Sequence, residues 1–277
     1  MAYEHSTLLD VRCDGALVTA TISNPPINLI TMALFGELAR LTEELEADPR
    51  ALVFVLKSAD PDFFLAHFDV AALIAMADAP APPTGEANAY HAMCHRFRTM
   101  DKVTIAQIEG RVGGGGAELA MNFDMRFGAL GKTVINQMEV PIGILPGGTG
   151  TQNLPRLVGR ARAMEIIVGG IDVDAETAER WGWLNRALPA DAIDAHVDAL
   201  ARRIASFPAA AVRLAKQSVD NAALPMAEGC EREAALFQTL LFSDPARRAM
   251  RRFLELGGQT REGELQVAAI SAAVASD

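Results

Sequence analysis

Apolar and polar positions alternate in several distinct ways along the chain. Residues 8–12 and 16–22 carry short apolar alternations on either side of Asp14-Gly15, a turn signal, and predict a β-hairpin. Thr31 then stands where a helix N-cap is expected. Leu34, Leu38, Leu41 and Leu45 follow with the 3.6-residue period of a helix that ends at Asp48-Pro49. Residues 51–56 (Ala-Leu-Val-Phe-Val-Leu) form a continuous apolar run, the pattern of a strand covered on both faces. A helical stretch, a Pro-rich loop at 80–85 and another helix lead to a second such run, Val103 to Ile108. That run opens into Gly113 to Gly116, where a helix is expected to begin.

Strands separated by helical segments predict an α/β core with crossover connections. Trp183 to Leu188 reads as the last strand. Beyond it the pattern is wholly helical: Ile193, Val197, Leu200 and Ile204 form one stripe, Pro208 opens the next helix, and 226–242 and 245–256 continue. The expected division is a core over 1–206 and a helical C-terminal region over 207–277.

The 277 residues, half of them hydrophobic, suffice for a substantial core and argue against disorder. No apolar run reaches the roughly 18 residues a membrane helix needs, and no signal peptide is visible. The net charge of −10 opposes nucleic acid or an anionic membrane as partner, since both would repel the chain at long range. Cys13, Cys94 and Cys230 lie far apart, form no metal or redox spacing, and read as buried thiols of a cytoplasmic protein. No metal site is expected.

The glycine run invites a nucleotide reading, which fails on its residues. Gly113 to Glu118 supplies the first two glycines of a dinucleotide fingerprint, but Glu118 takes the third place. Gly131-Lys132-Thr133 resembles the end of a phosphate loop, but Arg126 stands where its first glycine belongs. A strand ending in glycines and turning into a helix instead presents unpaired N–H groups, and glycine admits a ligand oxygen close to the backbone. Such a pocket suits an oxyanion, with Glu118, expected in the helix's first turn, beside it. The plain alternative is an acidic residue complementing the dipole of a solvent-facing helix.

Five blocks in order remove that ambiguity: Asn24-Pro25-Pro26-Ile27-Asn28, Ala66-His67-Phe68-Asp69-Val70, Ile105 to Asp124, Gln137 to Gln152, and Leu154 to Gly159. Together they resemble the enoyl-CoA hydratase/isomerase (crotonase) family. The resemblance implies a spiral of ββα units with a helical C-terminal region that builds homotrimers, often paired as dimers of trimers. It implies an acyl-CoA thioester as substrate, with no cofactor besides the CoA the substrate carries. It places the thioester oxygen between the backbone N–H groups of Phe68 and Gly115, and Ala66, His67, Asp69 and Gly114 in the binding segments around them. Glu118 and Glu139 match the two acids that, in the family's hydratases, add water across a 2-enoyl thioester, an addition that needs one group to donate while another accepts.

The expected reaction is therefore hydration to a 3-hydroxyacyl-CoA. Double-bond isomerisation, hydratase–lyase cleavage, or acyl-CoA binding without catalysis are its rivals. His67 replaces the family's usual glycine, and a histidine there either packs or meets the acyl group, able to donate or accept a proton. Met138 replaces the usual proline, and Pro26 stands where many relatives carry a basic residue. The C-terminal region offers Arg247, Arg248, Arg251 and Arg252, either as CoA-phosphate partners or as a solvated basic face. Asp69, Asp124 and Gln152 read as anchors rather than catalysts, and Trp181 and Trp183 as packing.

Overall fold

The computed structural model of the chain describes residue 3, residues 6–78 and residues 85–274. The Pro-rich loop expected at 80–85 lies, apart from Gly85, outside the described residues. The hairpin forms from β1 (Leu9–Asp14) and β2 (Leu17–Ile22), with Asp14 opposite Leu17 and Gly15 in the left-handed region. Both strands start one residue later than the pattern implied, because Gly15-Ala16 rather than Asp14-Gly15 makes the turn. Helix α1 (Met32–Ala47) starts on its Thr31 cap and buries Leu34, Leu38, Leu41 and Leu45.

From β3 (Val53–Ser58) onward the chain repeats one move. A strand of a large sheet is followed by a short strand of a second sheet, then by helix. β3 is followed by β4 (Phe63–Leu65), α2 (Val70–Ala77) and α3 (Ala89–Thr99); β5 (Val103–Ile108) by β6 (Arg111–Gly113) and α4 (Gly114–Ala120). β7 (Met125–Ala129) is followed by β8 (Val134–Asn136), α5 (Gly150–Val158) and α6 (Arg160–Gly169). β9 (Val173–Asp174), α7 (Ala175–Trp181), β10 (Arg186–Leu188) and α8 (Ile193–Ala205) close the series. The large sheet has the order β1-β2-β3-β5-β7-β10, parallel beyond the hairpin, and the small one β4-β6-β8-β9. This is the spiral of ββα units.

The continuous apolar runs belong to strands buried on both faces. Phe54 and Leu56 of β3 join a cluster with α1 and the stacked rings of Phe97 and Phe123, while Val53 and Val55 join a second one with Ile193, Val197 and Ala201 of α8. The expected strand at 183–188 is only β10, because Trp183 and Leu184 leave the sheet to pack into the first cluster. The cysteines are free, but only Cys94 is buried; Cys13 and Cys230 are exposed, so the expectation of three buried thiols is corrected.

After β10 every described element is helical: α8, then α9 (Ala209–Asp220), α10 (Met226–Leu241), α11 (Asp244–Glu255), α12 (Arg261–Glu264) and α13 (Val267–Val274). Among the described residues no helix is long and apolar enough to cross a membrane. Helix α9 is pinned to the sheet by Lys216, whose Nζ lies 2.9 Å from Asp124 Oδ2 and donates to the Lys102 carbonyl. Asp124 also accepts from the Thr104 N–H, tying β5 to the turn that precedes β7. Lys216→Met should cost about 2 kcal/mol of unfolding free energy, since it strands a partly buried carboxylate. Denaturant unfolding measures it; an unchanged midpoint would show that this anchor carries no stability.

Candidate active site

Asn28 begins the construction of the site. Its buried amide donates to Ser58 Oγ and to the carbonyls of Phe63 and Phe64, and its Oδ1 accepts from the Asn24 N–H. The loop after β2 is thereby tied to β3 and β4. Two residues on, Ile30 forms an isolated parallel bridge with Phe68: the Ile30 N–H donates to the His67 carbonyl at 2.9 Å, and the Asp69 N–H to the Ile30 carbonyl at 3.1 Å. In a parallel bridge the flanking residues make the bonds, so the N–H of Phe68 itself points away from Ile30. It has no hydrogen-bond partner among the described residues.

The glycine run meets this segment at van der Waals distance. A Cβ on Gly116 would lie 2.5 Å from the Leu65 carbonyl oxygen, and one on Gly113 would lie 2.6 Å from that of Ala66. The same point on Gly115 would lie 3.4 Å from the Phe68 nitrogen. Only glycine allows the two backbones to come so close. Gly115 sits in the first turn of α4, where N–H groups have no partner within the helix. The Phe68 N–H and the Gly115 N–H thus belong to two backbones in close contact. Tyr90, from α3, fixes both: its hydroxyl donates to the Gly115 carbonyl at 2.6 Å, and its ring packs edge-on against that of Phe68.

Beside this pair lies a cavity of about 390 Å³. Its walls are largely apolar, with Met32, Phe35, Leu73, Met76, Ile144 and Leu145, and Glu118, Glu139 and His67 also line it. Glu118 is 4% exposed and sits in the second turn of α4, not in the first turn or on a solvent-facing surface. Its Oε1 accepts from the N–H groups of Gly148 and Gly150 at 2.8 and 2.7 Å. A Cβ on Gly148 would lie 2.7 Å from both Glu118 Oε2 and the Tyr90 ring, so this loop must be glycine to admit the carboxylate. Asn122 and Asn153 hold the loop by donating to Thr149 Oγ1.

Glu139 precedes a short 3₁₀ turn over 140–142 and is 7% exposed; its Oε2 is buried with no hydrogen-bond partner among the described residues. Burial, and then the charge of Glu118, push its carboxyl up to about 7. Burial also raises Glu118, but the two backbone donors work against that rise. Two buried carboxyls in one chamber resist double ionisation, so near neutral pH they share a proton that rests preferentially on Glu139.

The structure gathers Glu118, Glu139, Phe68, Gly115 and His67 around the cavity. Gly114 lies next to them at a left-handed φ of 44°, where a Cβ would sit 3.0 Å from Glu139 Oε1 and 3.1 Å from His67 Cβ. Ala66 lies behind, its carbonyl against Gly113. Asp69 turns away: its Oδ1 caps α2 by accepting from the Ala71 N–H. Asp124 is an anchor, and Trp183 is buried in the core. The four arginines of α11 line no part of the cavity; Arg247 pairs with Asp244 and Arg252 with Glu255. Sequence reasoning did not find Tyr90, which carries no motif. Nor did it find the donors Gly148 and Gly150, although the Pro-Gly-Gly-Thr-Gly run is a visible signal for a loop that closes on a ligand or a buried group.

A family model described as enoyl-CoA hydratase/isomerase matches residues 12–262. The chain belongs to the enoyl-CoA hydratase/isomerase family. A Mycobacterium tuberculosis protein named as a probable enoyl-CoA hydratase is 31% identical over 257 residues, which cover 92% of this chain and 96% of that protein. A short-chain-enoyl-CoA hydratase of Clostridium acetobutylicum is 29% identical over 209 residues, 75% of this chain and 79% of that one. Among solved structures, an enoyl-CoA hydratase of Geobacillus kaustophilus superposes with a TM-score of 0.84 at 25% identity, covering 91% of this chain and 95% of that one. Pseudomonas aeruginosa DspI does so with a TM-score of 0.80 at 28% identity, covering 91% and 96%.

The raised carboxyl of Glu139 has a measurable consequence for stability. The folded protein keeps this proton up to about pH 7, whereas an ordinary glutamate loses it near 4.5. The group's contribution to stability is therefore fully present below about 4.5 and is lost as pH rises through about 7. Glu139→Gln removes this loss. Its melting temperature relative to the parent should rise between pH 5 and pH 8, by on the order of a few degrees. Calorimetry at both pH values tests it, and a pH-independent difference would show that Glu139 ionises as an ordinary surface acid.

Proposed function

We propose that the protein hydrates a 2-enoyl-CoA thioester to the 3-hydroxyacyl-CoA. The observation that carries this reading is the pair of buried carboxylates, Glu118 and Glu139, facing one cavity beside two uncommitted backbone N–H groups. The thioester oxygen would rest between the Phe68 and Gly115 N–H groups, which stabilise the enolate charge that develops when C3 is attacked. Glu118, anionic and held by Gly148 and Gly150, takes a proton from water as its oxygen bonds to C3. Glu139, carrying the shared proton, delivers it to C2. A proton passing from Glu118 to Glu139 restores the starting state. No metal or cofactor is needed.

Double-bond isomerisation needs one group to carry a proton between two carbons, and would leave the second buried acid without a task. A binding protein needs neither, and burying carboxyls away from water is costly. The apolar walls of the cavity suit a hydrocarbon acyl tail.

Glu118→Gln and Glu139→Gln keep size and most hydrogen bonding while removing the acid. Each should lower kcat by about 10²–10⁴-fold with KM little changed, and the double variant should lose less than the product of the two. Loss of the conjugated-thioester absorbance of crotonyl- and longer enoyl-CoAs measures this. A single variant retaining more than about half the parent rate on every substrate turned over would refute two-carboxylate hydration.

The assembly proposed is a homotrimer or a dimer of trimers. Phe237, Phe242 and Leu265 on and after the C-terminal helices are large apolar side chains left exposed in the single chain, and burial against a neighbouring copy covers them. Light scattering should give three or six times the 29.6 kDa chain mass. A stable monomer at micromolar concentration would rule the assembly out.

A further inference from the structure

We propose that His67 is a positioning residue for the thioester grip, its Nδ1–H holding the Phe68 backbone so that the Phe68 N–H faces the cavity. This rests on the reading that Phe68 and Gly115 bind the thioester oxygen. Nearly all the backbone polar groups around Phe68 are committed. The His67 carbonyl is taken by the Ile30 N–H, and the Asp69 N–H by the Ile30 carbonyl. The remaining group, the Phe68 carbonyl, lies 2.8 Å from His67 Nδ1. With that contact every backbone polar group from the His67 carbonyl to the Asp69 N–H is engaged except the N–H of Phe68.

The chemistry of the contact assigns the proton. A carbonyl oxygen only accepts, so Nδ1 must be the donor, and the tautomer follows from its partner. A side chain bonded to the carbonyl of the next residue closes a short ring through ψ of His67 and φ and ψ of Phe68, and so restricts the peptide plane that carries the Phe68 N–H. On the other side the Phe68 ring is held by Phe35 and Tyr90, with centroids 6.4 and 5.7 Å away. The donor is therefore clamped through its ring by aromatic packing and through its carbonyl by the imidazole. Such clamping matters because a donor misplaced by a fraction of an ångström loses much of its hold on a developing charge.

Two other roles for the imidazole give different outcomes in the same experiment. His67 lies against Gly114, its Cβ 3.1 Å from the place a Cβ there would occupy, so the side chain could act by filling space alone. Its Nε2 has no partner among the described residues and the residue lines the cavity, so it could act by touching the substrate. His67→Asn keeps a donor near the Nδ1 place and removes Nε2; His67→Leu keeps comparable volume and removes the donor.

The probe is hexanoyl-CoA carrying ¹³C at the thioester carbonyl, a saturated thioester that cannot be hydrated, with its carbonyl stretch read by isotope-edited infrared difference spectroscopy. Bound to the parent, the stretch should fall below its value in solution, reporting polarisation by the two N–H groups. His67→Asn should keep most of that shift, and His67→Leu should lose at least about half of it. On an enoyl-CoA that the parent hydrates, His67→Leu should lower kcat about 10-fold with KM within about 3-fold, and His67→Asn should stay within about 3-fold of the parent. Should His67→Leu not fold, His67→Ala takes its place.

A full shift in the leucine variant means space-filling, and loss in both variants means a role for Nε2; either overturns the proposal. An unshifted carbonyl in the parent overturns the thioester grip itself, and the proposal with it. Failure of hydration alone leaves the infrared result standing.

Discussion

The close approach of residues 65–68 to the glycine run at 113–116 is the constraint on which the rest of the site depends. Two stretches of backbone, one leaving β4 and one entering α4, lie so near that side chains at Gly113 and Gly116 would occupy the Ala66 and Leu65 carbonyls. The consequence is that the Phe68 nitrogen and the Gly115 backbone are close in space though far apart in sequence. Everything nearby enforces that approach. Asn28 ties the preceding loop to β3 and β4, Ile30 bridges Phe68, and Tyr90 reaches from α3 to the Gly115 carbonyl. None of these groups needs to touch a ligand to matter, because each removes a way for the two donors to drift apart.

The same α4 helix that supplies Gly115 carries Glu118 into the chamber, and this has an energetic cost. A carboxyl almost wholly removed from water favours its neutral form, and a second one nearby favours it further. The molecule answers the two burials differently. Glu118 receives two backbone N–H groups from a loop whose glycines leave room for it, whereas Glu139 is left with an oxygen that no group among the described residues bonds. The asymmetry separates the two acids in proton affinity although they share one cavity. Separated affinities allow one carboxyl to accept a proton while its neighbour donates.

Beyond the site, the spiral works as a rigid holder. The central strands β3 and β5 are buried on both faces, so they cannot shift register without moving apolar side chains out of both clusters. Asp124, one residue before β7, joins the sheet to the first helix of the C-terminal region through Lys216. That helix is thereby held against the core, with Val212 packed on the second cluster, while the helices after it present large apolar residues outward.

By itself the sequence determined the local elements and the chemistry on offer. The leucine period of α1, the doubly buried strands, the helical C-terminal third and the ordered family blocks were legible because each depends on neighbours a few residues away. Glu118, Glu139 and the glycine run were legible as motif members. The shorter strands β4, β6, β8 and β9 were not, since two or three residues carry no period and form only when partners from other turns of the spiral arrive. Tyr90 escaped for the same reason: its hydroxyl acquires a role only where α3 crosses the start of α4. Tertiary structure alone decided that Glu118 is buried rather than solvent-facing and that Cys13 and Cys230 are exposed. Burial and hydrogen-bond partnership are set by residues distant along the chain, and a local pattern does not encode them.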